Sequence, residues 1–264
     1  MIVCDAEERL AGGNVSTVVR VGDTVRRPAG PWTVSVHSLL RHVRQRGFDL
    51  APEPLGIDEH GREVLRFIEG STVGDDHPWP DWAWTDEVLI QATIALRRYH
   101  DAVFNFRPAE PLRSRLGEST LGPGDIVCHN DFAPYNVVYR SGLSGVIDWD
   151  VICAGPPAWD LAFLAWQWVP LHNERLAREL GAPPVGERAR RLALLCETYG
   201  GSGHEDLTSL VITRVSASRG GILERASAGD PPFVRLREQG HAEAMQATIE
   251  WIREHHADLR SATT

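Results

Sequence analysis

The stretch that decides the fold reads Ile126-Val-Cys-His129-Asn-Asp131-Phe-Ala-Pro-Tyr-Asn136-Val-Val-Tyr-Arg140-Ser-Gly-Leu-Ser144-Gly-Val-Ile147-Asp148-Trp-Asp150. Two short extended runs, Val137 to Arg140 and Gly145 to Ile147, flank Ser141-Gly-Leu-Ser144, whose composition marks a turn. With those four residues as the turn, Arg140 faces Gly145 and Val137 faces Asp148. Asn136 then lies beside Asp148 at the open end of the hairpin. Asp131, five residues before Asn136, sits on a loop entering the same end. An amide and two carboxylates therefore converge. One amide and one carboxylate, with positions left for water and phosphate, suit Mg²⁺. A further carboxylate nearby can take a proton from a hydroxyl or align it for attack. Together these groups describe phosphoryl transfer, where the protein chiefly positions reactants and offsets charge.

Outward from this stretch the chain changes character once. Before Gly70 it is mostly extended. Val15 to Val21 is β-branched and ends at the hairpin signal Gly22-Asp23, after which Thr24 to Arg27 runs into Pro28. From Thr33 to Arg46 the apolar residues Val36, Leu39, Leu40 and Val43 recur at helical spacing, with Gly47 as the stop. Two further short strands flank Asp58 to Gly61, the second running from Glu63 to Ile68. Residues 71–85 hold three tryptophans and two prolines and are irregular. A helix follows from Asp86, capped by Thr85, and more are expected at 158–168, 172–180, 187–199, 206–218 and 241–256. The reading is an α+β chain of two domains: a β-rich lobe over 1–70 and a helical lobe over 71–264.

Composition excludes several chemistries. The 27 cationic residues are all arginine. A chain without lysine has no Walker-type phosphate loop and no Schiff-base or Ser–Lys catalysis. A net charge of −9 disfavours nucleic acid and weakly favours a cationic small molecule. Of the four cysteines, Cys128 and Cys153 are nearest in sequence and no CxxC occurs, so free thiols in the reducing cytoplasm are expected. No run of 18 apolar residues marks a membrane span.

The HNDxxxxN run from His129 to Asn136, then Ile147-Asp148-Trp149, then Gly155-Pro-Pro-Ala-Trp-Asp160-Leu-Ala, resembles the aminoglycoside phosphotransferase family, relatives of choline kinase and protein kinases. The resemblance is strongest over His129–Ala162, moderate at Leu96–His100, and faint over the C-terminal hundred residues. It implies a two-lobed protein-kinase-like fold with a nucleotide-binding N-lobe over 1–70. The helical C-lobe over 71–264 would carry the catalytic loop and acceptor site. It also implies an ATP- or GTP-dependent, Mg²⁺-dependent kinase acting on a small-molecule hydroxyl. Asp131 would be the catalytic carboxylate and Asn136 and Asp148 the metal ligands. His129 and Asp160 would brace the loop, and Asp150 would be an accessory acid or a loop cap.

On the nucleotide side the family places a lysine or arginine on the third strand, over the phosphates, often tied to a helix glutamate. Arg27 matches the base, with Val25 on its face and Arg26 turned away. His37 stands where the helix glutamate is expected, so that ion pair is missing as such. Gly12-Gly13-Asn14 is either the phosphate-covering loop or a plain turn, and Phe67-Ile68-Glu69 would be the hinge that meets the nucleobase. Acids that could meet an amine-bearing acceptor are Asp150, Glu224, Asp230 and Glu250. Trp79, Trp82 and Trp84 form either an aromatic wall for the acceptor or plain packing. The alternative function, raised by the missing pair, is a catalytically weak or inactive kinase-like binding protein.

Overall fold

A computed structural model describes residues 7–10, 18–74, 76–200 and 207–261. Gly12-Gly13-Asn14 and the start of the Val15–Val21 run lie outside the described residues. Described residues pack as two compact units, one drawn from 1–75 with 95–157 and the other from 76–94 with 158–264.

The first unit is built on a five-stranded antiparallel sheet of β1 (Glu8–Arg9), β2 (Val19–Val21), β3 (Thr24–Pro28), β4 (Pro54–Ile57) and β5 (Arg62–Arg66), ordered β1-β2-β3-β5-β4. Gly22 turns the β2–β3 hairpin at φ 60°, a conformation glycine adopts without steric cost. Helix α1 (Thr33–Gln45) buries Val36, Leu39, Leu40 and Val43 completely, as its 3.6-residue period requires, and Gly47 closes it at φ 85°. The β3–β5 register sets Val25 opposite Leu65 and Arg27 opposite Glu63. Cross-strand partners share a face, so these four side chains stand together.

Helix α2 (Asp86–Val103) begins as expected, with Thr85 Oγ1 accepting from Val88 N at 3.3 Å, and its last turns belong to the first unit. Three short ladders complete that unit's described strands: β6 (Leu112–Ser114) with β7 (Gly117–Ser119), β8 (Ile126–Cys128) with β11 (Cys153–Gly155), and β9 (Val137–Tyr139) with β10 (Leu143–Val146), beside the main sheet. The free thiols Cys128 and Cys153 are opposite one another in the β8–β11 pair.

The β9–β10 hairpin corrects the expected register. Val137 faces Val146 and Val138 faces Gly145, two residues tighter than the four-residue turn predicts. Ser141 (φ 57°) and Gly142 (φ 140°) make the reversal, and a bulge between Leu143 and Gly145 absorbs the extra residue. A shift of two keeps every side chain on its face, because the pleat repeats every two residues. Ile147 N donates to Asn136 O at 2.9 Å, so Asn136 still ends the hairpin next to Asp148.

The second unit is helical: α3 (Pro157–Trp168), α4 (Glu174–Glu179), α5 (Val185–Tyr199), α6 (Leu207–Ser227), α7 (Pro231–Glu238), α8 (His241–Glu254) and α9 (His256–Ser261). Helix α3 is buried on all sides from Asp160 to Trp168. Helix α7 was not anticipated. Its Pro231-Pro232 pair reads as a breaker, yet proline suits the first turn, where amides lack helical partners. Trp79 and Trp84 stack at 5.3 Å and both donate to Leu180 O, which favours packing over an acceptor wall. Among the described residues no helix is long and apolar enough to cross a membrane.

Candidate active site

The loop between β8 and β9 carries the first cluster. Asp131 is gripped at both carboxylate oxygens: Tyr135 Oη donates to Oδ1 at 2.8 Å and Asn136 Nδ2 to Oδ2 at 2.8 Å. Asn136 Nδ2 also reaches Asp131 O at 3.0 Å. The amide nitrogen thus faces Asp131, and its oxygen is the atom left to serve as a ligand. Below the loop, His129 Nδ1 accepts from Asp131 N at 3.2 Å, and its ring meets Trp149 edge-on at 4.4 Å. Trp149 is 1% exposed and packs against Phe48 and Tyr99, while Tyr99 Oη donates to Val127 O at 2.6 Å. An aromatic floor therefore fixes the loop from beneath, with T-shaped contacts typical of interior rings. Asn130 (φ 68°) and Asp148 (φ 60°) both take left-handed backbone, which costs a non-glycine residue energy and is tolerated best by these two residue types.

The second cluster surrounds Arg27. Its Nε donates to Glu63 Oε2, its Nη2 to Asp150 Oδ1 at 2.6 Å, and its Nη1 lies 3.5 Å from Asp148 Oδ1. On the far side of Glu63, His37 Nε2 meets Oε1 at 2.9 Å. The ion pair that the resemblance called for is therefore present but relocated. Its acid comes from β5, not from α1, where histidine stands. Sequence spacing could not show this, since α1 and β4 separate the two paired strands. Arg26 faces away and pairs with Asp58 at 3.3 Å.

Electrostatics follow from this crowding. Burial pushes the Glu63 carboxyl up, but the His37 hydrogen bond and the Arg27 charge outweigh it and hold it below the usual range. Burial raises Asp150 well above an ordinary carboxylate, with Arg27 opposing and Asp148 and Glu63 adding to the rise. Desolvation works against the Arg27 charge, yet the surrounding Asp150, Glu63 and Asp148 raise its pKa further. Three carboxylates thus face one guanidinium. This surplus of negative oxygen, with the Asp148 side chain 52% exposed, fits a hard divalent cation at Asn136 and Asp148.

At the hinge, Phe67 N donates to Asp23 O at 2.8 Å and Glu69 O accepts from Ser144 Oγ at 3.3 Å. The Glu69 carboxylate pairs with Arg20, whose guanidinium lies 3.8 Å over the Phe67 ring. Ile68 packs against Gly145, where an added Cβ would meet its Cδ1 at 2.6 Å. The expected acceptor acids Asp230 and Glu250 are occupied by Arg225 and Gln246. Sequence reasoning missed Tyr135 and Glu63. For Tyr135 the signal was available: four residues past Asp131 across a one-turn 3₁₀ segment, a side chain returns to the loop it left.

Residues 112–193 match the sequence model of the Phosphotransferase enzyme family. The trifolitoxin immunity protein of Rhizobium leguminosarum bv. trifolii is 43% identical over 199 residues, covering 72% of this chain and 73% of that protein. Amicoumacin kinase hAmiN, solved with AMP-PNP, Ca²⁺ and Ami, has a TM-score of 0.65 at 12% identity, covering 94% of this chain and 88% of that one. The GDP complex of aminoglycoside 2'-phosphotransferase-IIIa has a TM-score of 0.55 at 14% identity, covering 96% and 94%. The structural matches establish the fold class as α+β and protein-kinase-like.

Proposed function

The chain belongs to the phosphotransferase enzyme family, and from that membership we propose that it transfers the γ-phosphoryl group of ATP or GTP to a hydroxyl of a small molecule. The observation that carries the reading is the Asp131 carboxylate held by Tyr135 and Asn136, with Asn136 O bonded to the amide of Ile147, the neighbour of Asp148. Two hydrogen bonds aim the carboxylate, whose oxygens are acceptors suited to an incoming hydroxyl. Asp131 orients that hydroxyl and takes its proton as its oxygen bonds to the γ-phosphorus and the bond from that phosphorus to the β–γ bridging oxygen breaks, releasing the nucleoside diphosphate. Arg27 grips phosphate oxygens with its terminal nitrogens, in the bidentate manner guanidinium allows. A bound Mg²⁺ held by Asn136 and Asp148 would supply charge neutralisation on the phosphates. Ile68, between the engaged Phe67 N and Glu69 O, is the hinge position that meets the nucleobase. In this reading 1–70 is the nucleotide lobe and 71–264 bears the catalytic loop and acceptor site.

The relative named for immunity to trifolitoxin supports an acceptor that is a small toxin. Use of nucleoside triphosphates and Mg²⁺ supports action in the cytoplasm, and the net charge of −9 supports a small molecule over nucleic acid as the partner. The test is a panel of hydroxyl acceptors, toxins and amine-bearing compounds included, with γ-labelled ATP and GTP. Wild type transfers label to at least one acceptor. Asp131→Ala and Asp148→Ala each lose about 10²–10⁴-fold while remaining folded. Retention of more than about a tenth of the rate removes those roles. Nucleotide binding without transfer to any acceptor would favour a kinase-like binding protein instead.

A further inference from the structure

Arginine in place of lysine poses a problem of aim. An ammonium is a point charge that meets a carboxylate and a phosphate from one nitrogen, whereas a guanidinium is a planar fork that must be turned correctly. We infer that Glu63, locked by His37, is the positioning residue that turns Arg27 toward the nucleotide phosphates. The inference rests on the phosphotransferase reading and adds to it a residue that neither the sequence motifs nor the spacing identifies.

Three observations carry it. Glu63 is 1% exposed and directly opposite Arg27 across the β3–β5 ladder, so the pair is set by sheet register. Its Oε2 takes the Nε edge of the guanidinium, leaving Nη1 and Nη2 directed at Asp148 and Asp150, where the phosphates and their cation would lie. Its Oε1 accepts from His37 Nε2 at 2.9 Å, and His37 is itself 5% exposed. A carboxylate bonded at both oxygens by two different elements has one orientation. The acid here rides on a strand within the sheet, so its register against Arg27 is set by the β3–β5 ladder and not by α1. That helix contributes only the imidazole that locks the carboxylate.

The experiment measures nucleotide KM, acceptor KM and kcat for Glu63→Gln, Arg27→Ala, their double variant, His37→Ala and His37→Gln. Thermal melts and Mg²⁺-nucleotide calorimetry accompany each. Glu63→Gln is expected to raise nucleotide KM about 10- to 100-fold, as loss of one partner of a buried charged pair does, and to leave acceptor KM alone. On the Arg27→Ala background the same change adds nothing, because Glu63 acts through Arg27. His37→Ala shifts nucleotide KM in the same direction by less, and His37→Gln, whose amide N–H can still donate, restores it. Wild-type nucleotide KM in Glu63→Gln, or a full additional loss on the Arg27→Ala background, overturns the assignment. Should Glu63→Gln not fold, the His37 pair decides: identical nucleotide KM in His37→Ala and wild type overturns it. Wild type that binds neither ATP nor GTP removes the function reading and this assignment with it. Wild type that binds and turns over while Glu63→Gln matches it removes the assignment alone.

Discussion

Adjacent arginines on a strand point to opposite sides, and that alternation divides their work. Arg27 is 12% exposed at its side chain among Glu63, Asp148 and Asp150, whereas Arg26 is 28% exposed and tied to Asp58. Hydrogen bonds to charged groups contribute about 1.5–3 kcal/mol each, so removing the inward arginine should weaken nucleotide binding at least about tenfold. Arg27→Ala is therefore expected to show that loss by calorimetry, with Arg26→Ala binding as wild type does. The opposite ranking would mean that nucleotide lies on the other face of the sheet. Tyr135 works at the same scale. Its hydroxyl holds one oxygen of Asp131 while Asn136 holds the other, so the two together fix the direction of the carboxylate.

At the scale of elements, the segment that follows β5 is joined to the β9–β10 hairpin by backbone. Ser71 and Tyr139 exchange hydrogen bonds at 2.9 and 2.8 Å, and Gly70 approaches so closely that an added Cβ would lie 2.6 Å from Tyr139 O. Gly70 also sits at φ 143°, a conformation side chains disfavour. Gly70→Ala should thus combine strain with a backbone clash and cost about 1–3 kcal/mol or more. Gly74→Ala, at φ 73° but with open space around it, should cost only the strain of left-handed backbone, about 1–2 kcal/mol. Denaturant unfolding of the two variants side by side checks the order, and equal losses would show that the close approach to Tyr139 carries no energy. The same hairpin shows why register was misread. A bulge is invisible in composition, and the turn used Ser141-Gly142 where four residues looked equally turn-like.

Across the whole molecule, stability should depend on pH through a buried histidine of the helical unit. His172 in the helical unit accepts from Trp166 Nε1 at 3.0 Å, and its Nε2 is buried without a partner. Burial first, and the Arg188 charge second, depress its pKa to about 3. The unfolded chain, titrating near 6.5, binds a proton that the folded one refuses. Stability is therefore complete above about pH 6.5 and falls as pH drops toward 3, by up to about 1.4 kcal/mol per pH unit. His172→Gln keeps an acceptor for Trp166 and removes the titration, so its melting temperature should fall less than that of wild type between pH 7 and 5. Parallel profiles would assign the acid sensitivity elsewhere. Local chemistry alone determined much of this protein. Hydrophobic period set the main helices, Gly22 and Gly47 set their turns, and the run from His129 to Asp150 put Asn136 against Asp131, because each involves neighbours along the chain. Tertiary structure decided the partner of Arg27. Strand order β3-β5-β4 puts Glu63 beside Arg27 although they are 36 positions apart in sequence, and α1 packing brings His37 to the same carboxylate. No local pattern records which distant strand becomes a neighbour. That choice belongs to how the apolar faces of sheet and helix close over one another.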